Sequence, residues 1–359
     1  MPLVTSKKIL EQARKERFGV GAFNANNLEM VQAIIEAAEE ERAPVILQVS
    51  QGTIIYAGLE FAARLIKTAA ELSSMPVVLH LDHGTNFQLN VKCLREGFTS
   101  LMYDGTEKLL KEYKERTGDT NPSFDIIYEN IQSRAAFEDN VRMTKMVADL
   151  AHSCDVPVEA ELGKIPRVDE YRALIKDDFD YSSPLPEPVQ LMVEKLYAQP
   201  EMAEEFVRLT GCDSLAVACG SVHGMKSDIQ PLNLEHLDRI SSRIDTPLVL
   251  HGSSGVIKSR KDARERGIGL EKNEGGIEDA LDYGVTKINV STEIQLTFIN
   301  GVKQAFDQYP GEKDIRKLFL PAKKAMKEKV KSLIRLFRSS GKGVTGIESK
   351  LTEGNITHS

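Results

Sequence analysis

The sequence predicts a closed (β/α)8 barrel, an α/β TIM-barrel fold. Apolar, β-branched runs alternate with segments of helical period along the chain, and there are eight of them. Polar and titratable residues gather just after these runs, where barrel enzymes keep their chemistry. An open doubly wound sheet is the alternative. No Gly-x-Gly-x-x-Gly follows the first run, which argues against a dinucleotide site.

The first strand is expected at 19–23, and apolar residues at three- and four-residue spacing then mark a helix at 28–42. Strands follow at 45–49, 77–81 and 100–103, with a helix at 61–72. A long connection, 105–136, is rich in Lys, Glu, Asp and Asn, and 107–116 fits a charged helix. A helix at 137–152 leads to the fifth strand, 157–161. A second long connection, 163–200, precedes a helix at 202–210 and the strand 214–219. A helix at 234–244, the strand 248–250, an insert at 258–274, the strand 287–290 and a helix at 293–306 complete the barrel. A helical extension covers about 312–340, and the cationic stretch 323–338 reads as its solvated face. The whole chain, 1–359, reads as one barrel domain. All three inserts fall on the βα side, where barrels place lids. Tolerated surface insertion or an oligomer contact is the plainer reading of the first, while a lid fits the second at least as well.

Composition narrows the class. The chain is 41% hydrophobic and 28% charged, with a net charge of −7. No Lys/Arg block stands beside interleaved aromatics, so nucleic acid is not an expected partner. No apolar run is long enough to span a bilayer. The start, Met1 to Lys8, has no signal-type apolar core. Four cysteines lack CxxC spacing and fit free thiols in a reducing compartment. Cytoplasm is the expected location.

Each candidate strand ends in polar residues. They are Asn24, Ser50, Asp82 with His83, Asp104, Glu161, His223, His251 and Asn289, in strand order. In a barrel these converge on one rim. Three neutral imidazoles with an open position make a catalytic zinc site, and His83, His223 and His251 are the proposed ligands. A single His at a strand end is more often a satisfied core residue; three of the chain's seven at three strand ends favour a metal. His80 shares a face with Asp82 and reads as support beneath it. Asp82 can move a proton at a substrate hydroxyl. Asp104 and Glu161 can orient ligands or hold a second cation, the plainer reading being a salt bridge at the barrel mouth. Glu159 and Lys287 point inward one layer deeper, and a pair between them competes with a Schiff-base role for Lys287. Gly252-Ser253-Ser254-Gly255 and Asn289-Val290-Ser291-Thr292 suit phosphate, since small residues expose backbone N–H groups at helix starts. Plain N-caps are the ordinary alternative. Lys226, close after Gly224, adds charge there.

Six motifs carry a family likeness. Gly21-Ala22-Phe23-Asn24, His80-Leu81-Asp82-His83-Gly84, Glu159-Ala160-Glu161-Leu162-Gly163, Ser221-Val222-His223-Gly224, Leu250-His251-Gly252-Ser253-Ser254-Gly255 and Lys287-Ile288-Asn289-Val290-Ser291-Thr292-Glu293 resemble the class II, zinc-dependent fructose-bisphosphate aldolases. The likeness runs to about Gly343, apart from the inserts. It implies reversible cleavage of fructose 1,6-bisphosphate to triose phosphates, with His83, His223 and His251 as zinc ligands. It implies Asp82 as acid/base at the C4 hydroxyl, and Asp104 and Glu161 at an alternative or second divalent position. Asn289 would contact the dihydroxyacetone phosphate half. Gly224, Gly252, Ser254 and Thr292 would bind its phosphate, with a monovalent cation, Na+ or K+, nearby. Asn24, Ser50, Lys226 and Ser291 complete the expected substrate contacts. Arg316 would reach the other phosphate across a dimer interface, and a homodimer or homotetramer is implied.

The chain departs from the family pattern in places. After Glu161-Leu162-Gly163 the family has two loop glycines and a glutamate that protonates the carbanion. Here the stretch is Lys164-Ile165-Pro166-Arg167-Val168-Asp169-Glu170, so Asp169 or Glu170 is the candidate acid. Ser291 replaces an aspartate common in fructose-specific members, which keeps tagatose 1,6-bisphosphate open as substrate. A metal- or sugar-phosphate-binding protein without turnover, a Lys287 Schiff-base aldolase and a metal-dependent isomerase or epimerase are the rivals.

Overall fold

The structure is a computed structural model and describes residues 3–119, 124–168, 186–225 and 227–344. Eight parallel strands form the central sheet: β1 (Val20–Asn24), β2 (Val45–Ser50), β3 (Val77–Asp82), β4 (Leu101–Tyr103), β5 (Val158–Leu162), β6 (Ser214–Val217), β7 (Leu248–Leu250) and β8 (Val285–Val290). Pairing runs β3-β2-β1-β8-β7-β6-β5-β4. Parallel bridges His80–Ser100 and Gly84–Tyr103 join the two remaining edges and close the barrel. The strands are buried on both faces, which explains their near-continuous apolar runs.

Strand bounds agree with expectation to within two residues, and β6 ends at Val217, two residues before the expected Cys219. Register then sets the layers of the barrel interior. Gln48 pairs with His80, and two residues on, one layer higher, Ser50 pairs with Asp82. The rim is therefore built from residues two apart on neighbouring strands. The opposite end is plugged by the helix Ser6–Glu16. Its Ile9, Leu10 and Ala13 pack on Phe18, Val20, Ile46 and Val78.

The first insert folds as helices Gly105–Thr117 and Phe124–Gln132. Asp104 caps the first of them by accepting from the Glu107 N–H at 2.8 Å. The C-terminal helix is Ile315–Leu336, and its apolar side, including Leu318, Met326 and Val330, is buried. Its lysines are less free than a solvated face suggests. Lys327 and Lys331 both reach Glu40 of the helix Leu28–Glu41, at 2.7 and 2.6 Å. No helix among the described residues is long and apolar enough to cross a membrane.

Candidate active site

The rim opens onto a cavity of about 460 Å³ that holds most of the residues singled out from sequence. Asn24, Ser50, Asp82, His83, Asp104, Glu161, His223, Gly224, His251, Gly252, Ser254, Asn289, Ser291 and Thr292 all line it. Asp169, Glu170 and Lys226 lie outside the described residues. Arg316 does not reach the cavity. Its side chain is 87% exposed and is held by Asp314 at 2.8 Å on the outer surface.

His83 sits one residue past β3 with φ +52°, a left-handed conformation that costs a non-glycine residue about 1–3 kcal/mol. Its surroundings hold it there. Its N–H faces Met102 Sδ at 3.4 Å, its carbonyl accepts from Gln51, and its Nδ1 lies 2.7 Å from Asp104 Oδ2. Gly84 beside it must be glycine, since a Cβ there would stand 2.5 Å from the Met102 carbonyl oxygen.

His251 approaches from β7. Its Nδ1 lies 3.1 Å from His83 Nε2, while its Nε2 lies 2.8 Å from Glu159 Oε1. His223 stands on the third side, its ring centre 5.6 Å from that of His83 and 6.1 Å from that of His251. The segment after β5 is stitched to it: the His223 N–H donates to the Pro166 carbonyl, and the Val168 N–H to the His223 carbonyl.

Donor atoms of His83, His223 and His251 lie within 4.8 Å of one another, as do those of His83, Asp104 and Glu161. Both sets could hold a metal ion. The first matches the nitrogen donors of a catalytic zinc site with an open position. The surrounding carboxylates favour positive charge at His83. Glu161 Oε2 is buried with no hydrogen-bond partner. Burial opposes a charge on His83, yet the Asp82 carboxylate, the hydrogen bond to Asp104 and the charges of Asp104 and Glu161 push it up to about 10. Burial, reinforced by His83, holds His223 and His251 well below the ordinary imidazole range, so they offer lone pairs. Burial also pushes Glu161 well above the carboxyl range, helped by Asp104.

Asp82 closes β3. Its burial is outweighed by the neighbouring imidazoles, Lys287 and Asn24, and its carboxyl lies below the usual range. Asn24 Nδ2 donates to it at 2.8 Å, and Gln48 Nε2 donates to Asn24 Oδ1 at 3.1 Å. One layer down, Lys287 Nζ lies 2.8 Å from Glu159 Oε2 and donates to Asn289 Oδ1 at 2.8 Å. The expected Glu159–Lys287 pair is present, and His80 lies beside it, its Nδ1 2.8 Å from Ser100 Oγ. Lys287 is thus engaged by Glu159 and Asn289 in the buried layer beneath the rim.

Around the small-residue loops, Gly224 and Gly252 adopt φ +86° and +65°. Ser253 Oγ donates to the Asn289 carbonyl at 2.6 Å, which ties the two small-residue loops together. The helix Thr292–Gln308 begins at the cavity, its Glu293 N–H donating to Ser254 Oγ at 3.2 Å.

The structure adds residues that sequence reading missed. Gln48 supports Asn24, and Gln51 supports the His83 carbonyl. Glu107, Lys164 and Arg167 also line the cavity, and Lys164 Nζ lies 2.9 Å from Glu107 Oε2. The first insert thus reaches the site through Glu107. The interruption of an apolar strand by Gln48 is a readable signal. Glu107 carries none without the cap at Asp104.

The family model for "Fructose-bisphosphate aldolase class-II" matches residues 4–342. The chain belongs to the class II fructose-bisphosphate aldolase family. Among curated members, the fructose-bisphosphate aldolase of Thermus caldophilus is 38% identical, with 95% of this chain and 99% of that one covered. That of Helicobacter pylori strain 26695 is 33% identical at the same coverage. Among solved aldolases, the YdjI aldolase from Escherichia coli K12 shares 27% identity with a TM-score of 0.68, over 95% of this chain and 100% of that one. The aldolase from Campylobacter jejuni, at 20% identity and a TM-score of 0.64 over 94% and 96%, shares the fold.

Proposed function

We propose that the chain cleaves fructose 1,6-bisphosphate reversibly to dihydroxyacetone phosphate and glyceraldehyde 3-phosphate, with zinc held by His83, His223 and His251. One observation carries this reading: donor atoms of the three imidazoles within 4.8 Å of one another, with Asp82 Oδ1 3.8 Å from His83 Nε2. The names of the family members above support the substrate.

A bound zinc supplies a Lewis acid for the carbonyl end of the substrate. The chain's own residues do the rest. Asp82 takes the C4 hydroxyl proton as the C3–C4 bond breaks, and that electron pair passes to C3. Asn24 and Asn289 keep the carboxylate turned towards C4. Gly224, Gly252, Ser254 and Thr292 hold the near phosphate, with Lys226 and a monovalent cation beside it, so that the central bond meets Asp82. Asp169 or Glu170 returns a proton to C3. Asp104 and Glu161 share His83 as a second divalent position. Ser50 and Ser291 face the aldehyde half. Arg316 serves a phosphate only from a second subunit, in keeping with a homodimer or homotetramer.

Tagatose 1,6-bisphosphate, the C4 epimer, is the second reading, favoured by the small Ser291 on the cavity wall. Triose phosphate release from each epimer, with and without chelator, tests both. Release from the fructose epimer, lost with chelator, is expected. Zinc-loaded protein that releases triose phosphate from neither overturns the assignment in favour of a binding protein.

A further inference from the structure

Beneath the rim lies a buried ion pair whose task neither metal ligation nor substrate contact explains. Glu159 and Lys287 are each 1% exposed. Burying two charges is costly, and well-packed apolar residues are often as stable, so the pair calls for a role beyond stability. Its hydrogen bonds supply one. A carboxylate only accepts, so the His251 Nε2 that faces Glu159 at 2.8 Å carries the ring proton. The other nitrogen, Nδ1, then presents its lone pair towards His83 Nε2, 3.1 Å away. An ammonium only donates, so the atom of Asn289 facing Lys287 at 2.8 Å is its carbonyl oxygen. The Asn289 amide nitrogen therefore faces the rim, where Nδ2 lies 3.4 Å from Asp82 Oδ1 and 3.0 and 3.3 Å from His251 Nε2 and Nδ1. The remaining ammonium direction is met by His80 Nε2 at 3.4 Å.

We infer that Glu159 and Lys287 are one positioning pair with two outputs. Glu159 fixes the tautomer of His251, and Lys287 fixes the amide of Asn289. Metal affinity and turnover are thereby set from one buried layer. The inference rests on the reading of His251 as a metal ligand.

The test uses the full chain as Glu159→Gln, Lys287→Met and the double variant. Metal affinity is read with zinc and a competing chelator, and geometry from the visible spectrum of the cobalt(II) form. Glu159→Gln is expected to weaken zinc binding about 10–100-fold and to shift the cobalt spectrum. Lys287→Met is expected to lower kcat with the smaller change in zinc affinity. The double variant removes both buried charges, so it should regain melting temperature lost by the single variants but neither zinc affinity nor kcat. Wild-type zinc affinity and an unshifted cobalt spectrum in Glu159→Gln would overturn the inference. So would a double variant that regains zinc affinity along with stability. Zinc-binding wild-type protein that cleaves no sugar bisphosphate sinks the assigned reaction and leaves the affinity result standing.

Discussion

His83 Nε2 and His251 Nδ1 lie 3.1 Å apart, brought together from the ends of β3 and β7. Their other ring nitrogens face Asp104 and Glu159 at 2.7 and 2.8 Å. Carboxylates behind both rings turn the two inner nitrogens towards one point, where a bound metal ion would displace the proton on His83 Nε2 and accept a lone pair from each ring. His83→Ala and His251→Ala are therefore expected to lose most bound zinc and, with it, turnover. Metal content per folded chain checks this.

Asp82 stands beside the three imidazoles, 3.8 Å from His83 Nε2, and in the proposed reaction it moves a proton. Asp82→Asn should keep zinc near one per chain and lower kcat by about 10²–10⁴-fold. Zinc stoichiometry measured together with steady-state rates separates the two effects. Loss of zinc in this variant would make Asp82 a ligand instead.

Gly252 adopts φ +65°, and a Cβ there would stand 3.1 Å from the Val222 carbonyl carbon. Gly224 has φ +86°, and a Cβ there would come no nearer than 3.9 Å, to Val168 Cβ. Gly252→Ala thus adds crowding to a left-handed penalty of about 1–2 kcal/mol, whereas Gly224→Ala meets the penalty alone. The expected outcome is a larger fall in melting temperature for Gly252→Ala, with KM for the bisphosphate raised in both.

Asp213 links the plugged end of the barrel. It accepts from the Val158 N–H at 2.9 Å and pairs with Lys7 at 2.9 Å and His152 at 2.7 Å. Burial opposes its charge, but these partners hold its carboxyl below the usual range. A carboxyl lowered on folding stabilises the fold above its unfolded pKa, and that contribution fades as pH falls through the folded value. Asp213→Asn should cost about 1–3 kcal/mol at neutral pH, the gap closing in acid below pH of about 4. Urea unfolding at several pH values checks the sign.

Much of this was legible in the chain. Alternation placed the strands, and strand ends placed His83, His223 and His251 on one rim, because few positions in a barrel face inward there. Gln48 and Gln51 were missed because a lone polar residue states no partner; register supplies it. Glu107 was missed because its approach depends on a helix started by Asp104. Arg316 is held outward by Asp314, away from the cavity of its own chain, as a residue proposed to serve a second subunit would be.

The central claim is that cleavage runs through a metal held by three histidines. Zinc removal and stepwise return, with triose phosphate release from fructose 1,6-bisphosphate measured at each zinc occupancy, tests it most directly. The account predicts no release from the metal-free chain and a rate that rises in proportion to zinc up to one ion per chain. Full activity after complete metal removal, or borohydride trapping of the substrate on Lys287, would contradict it.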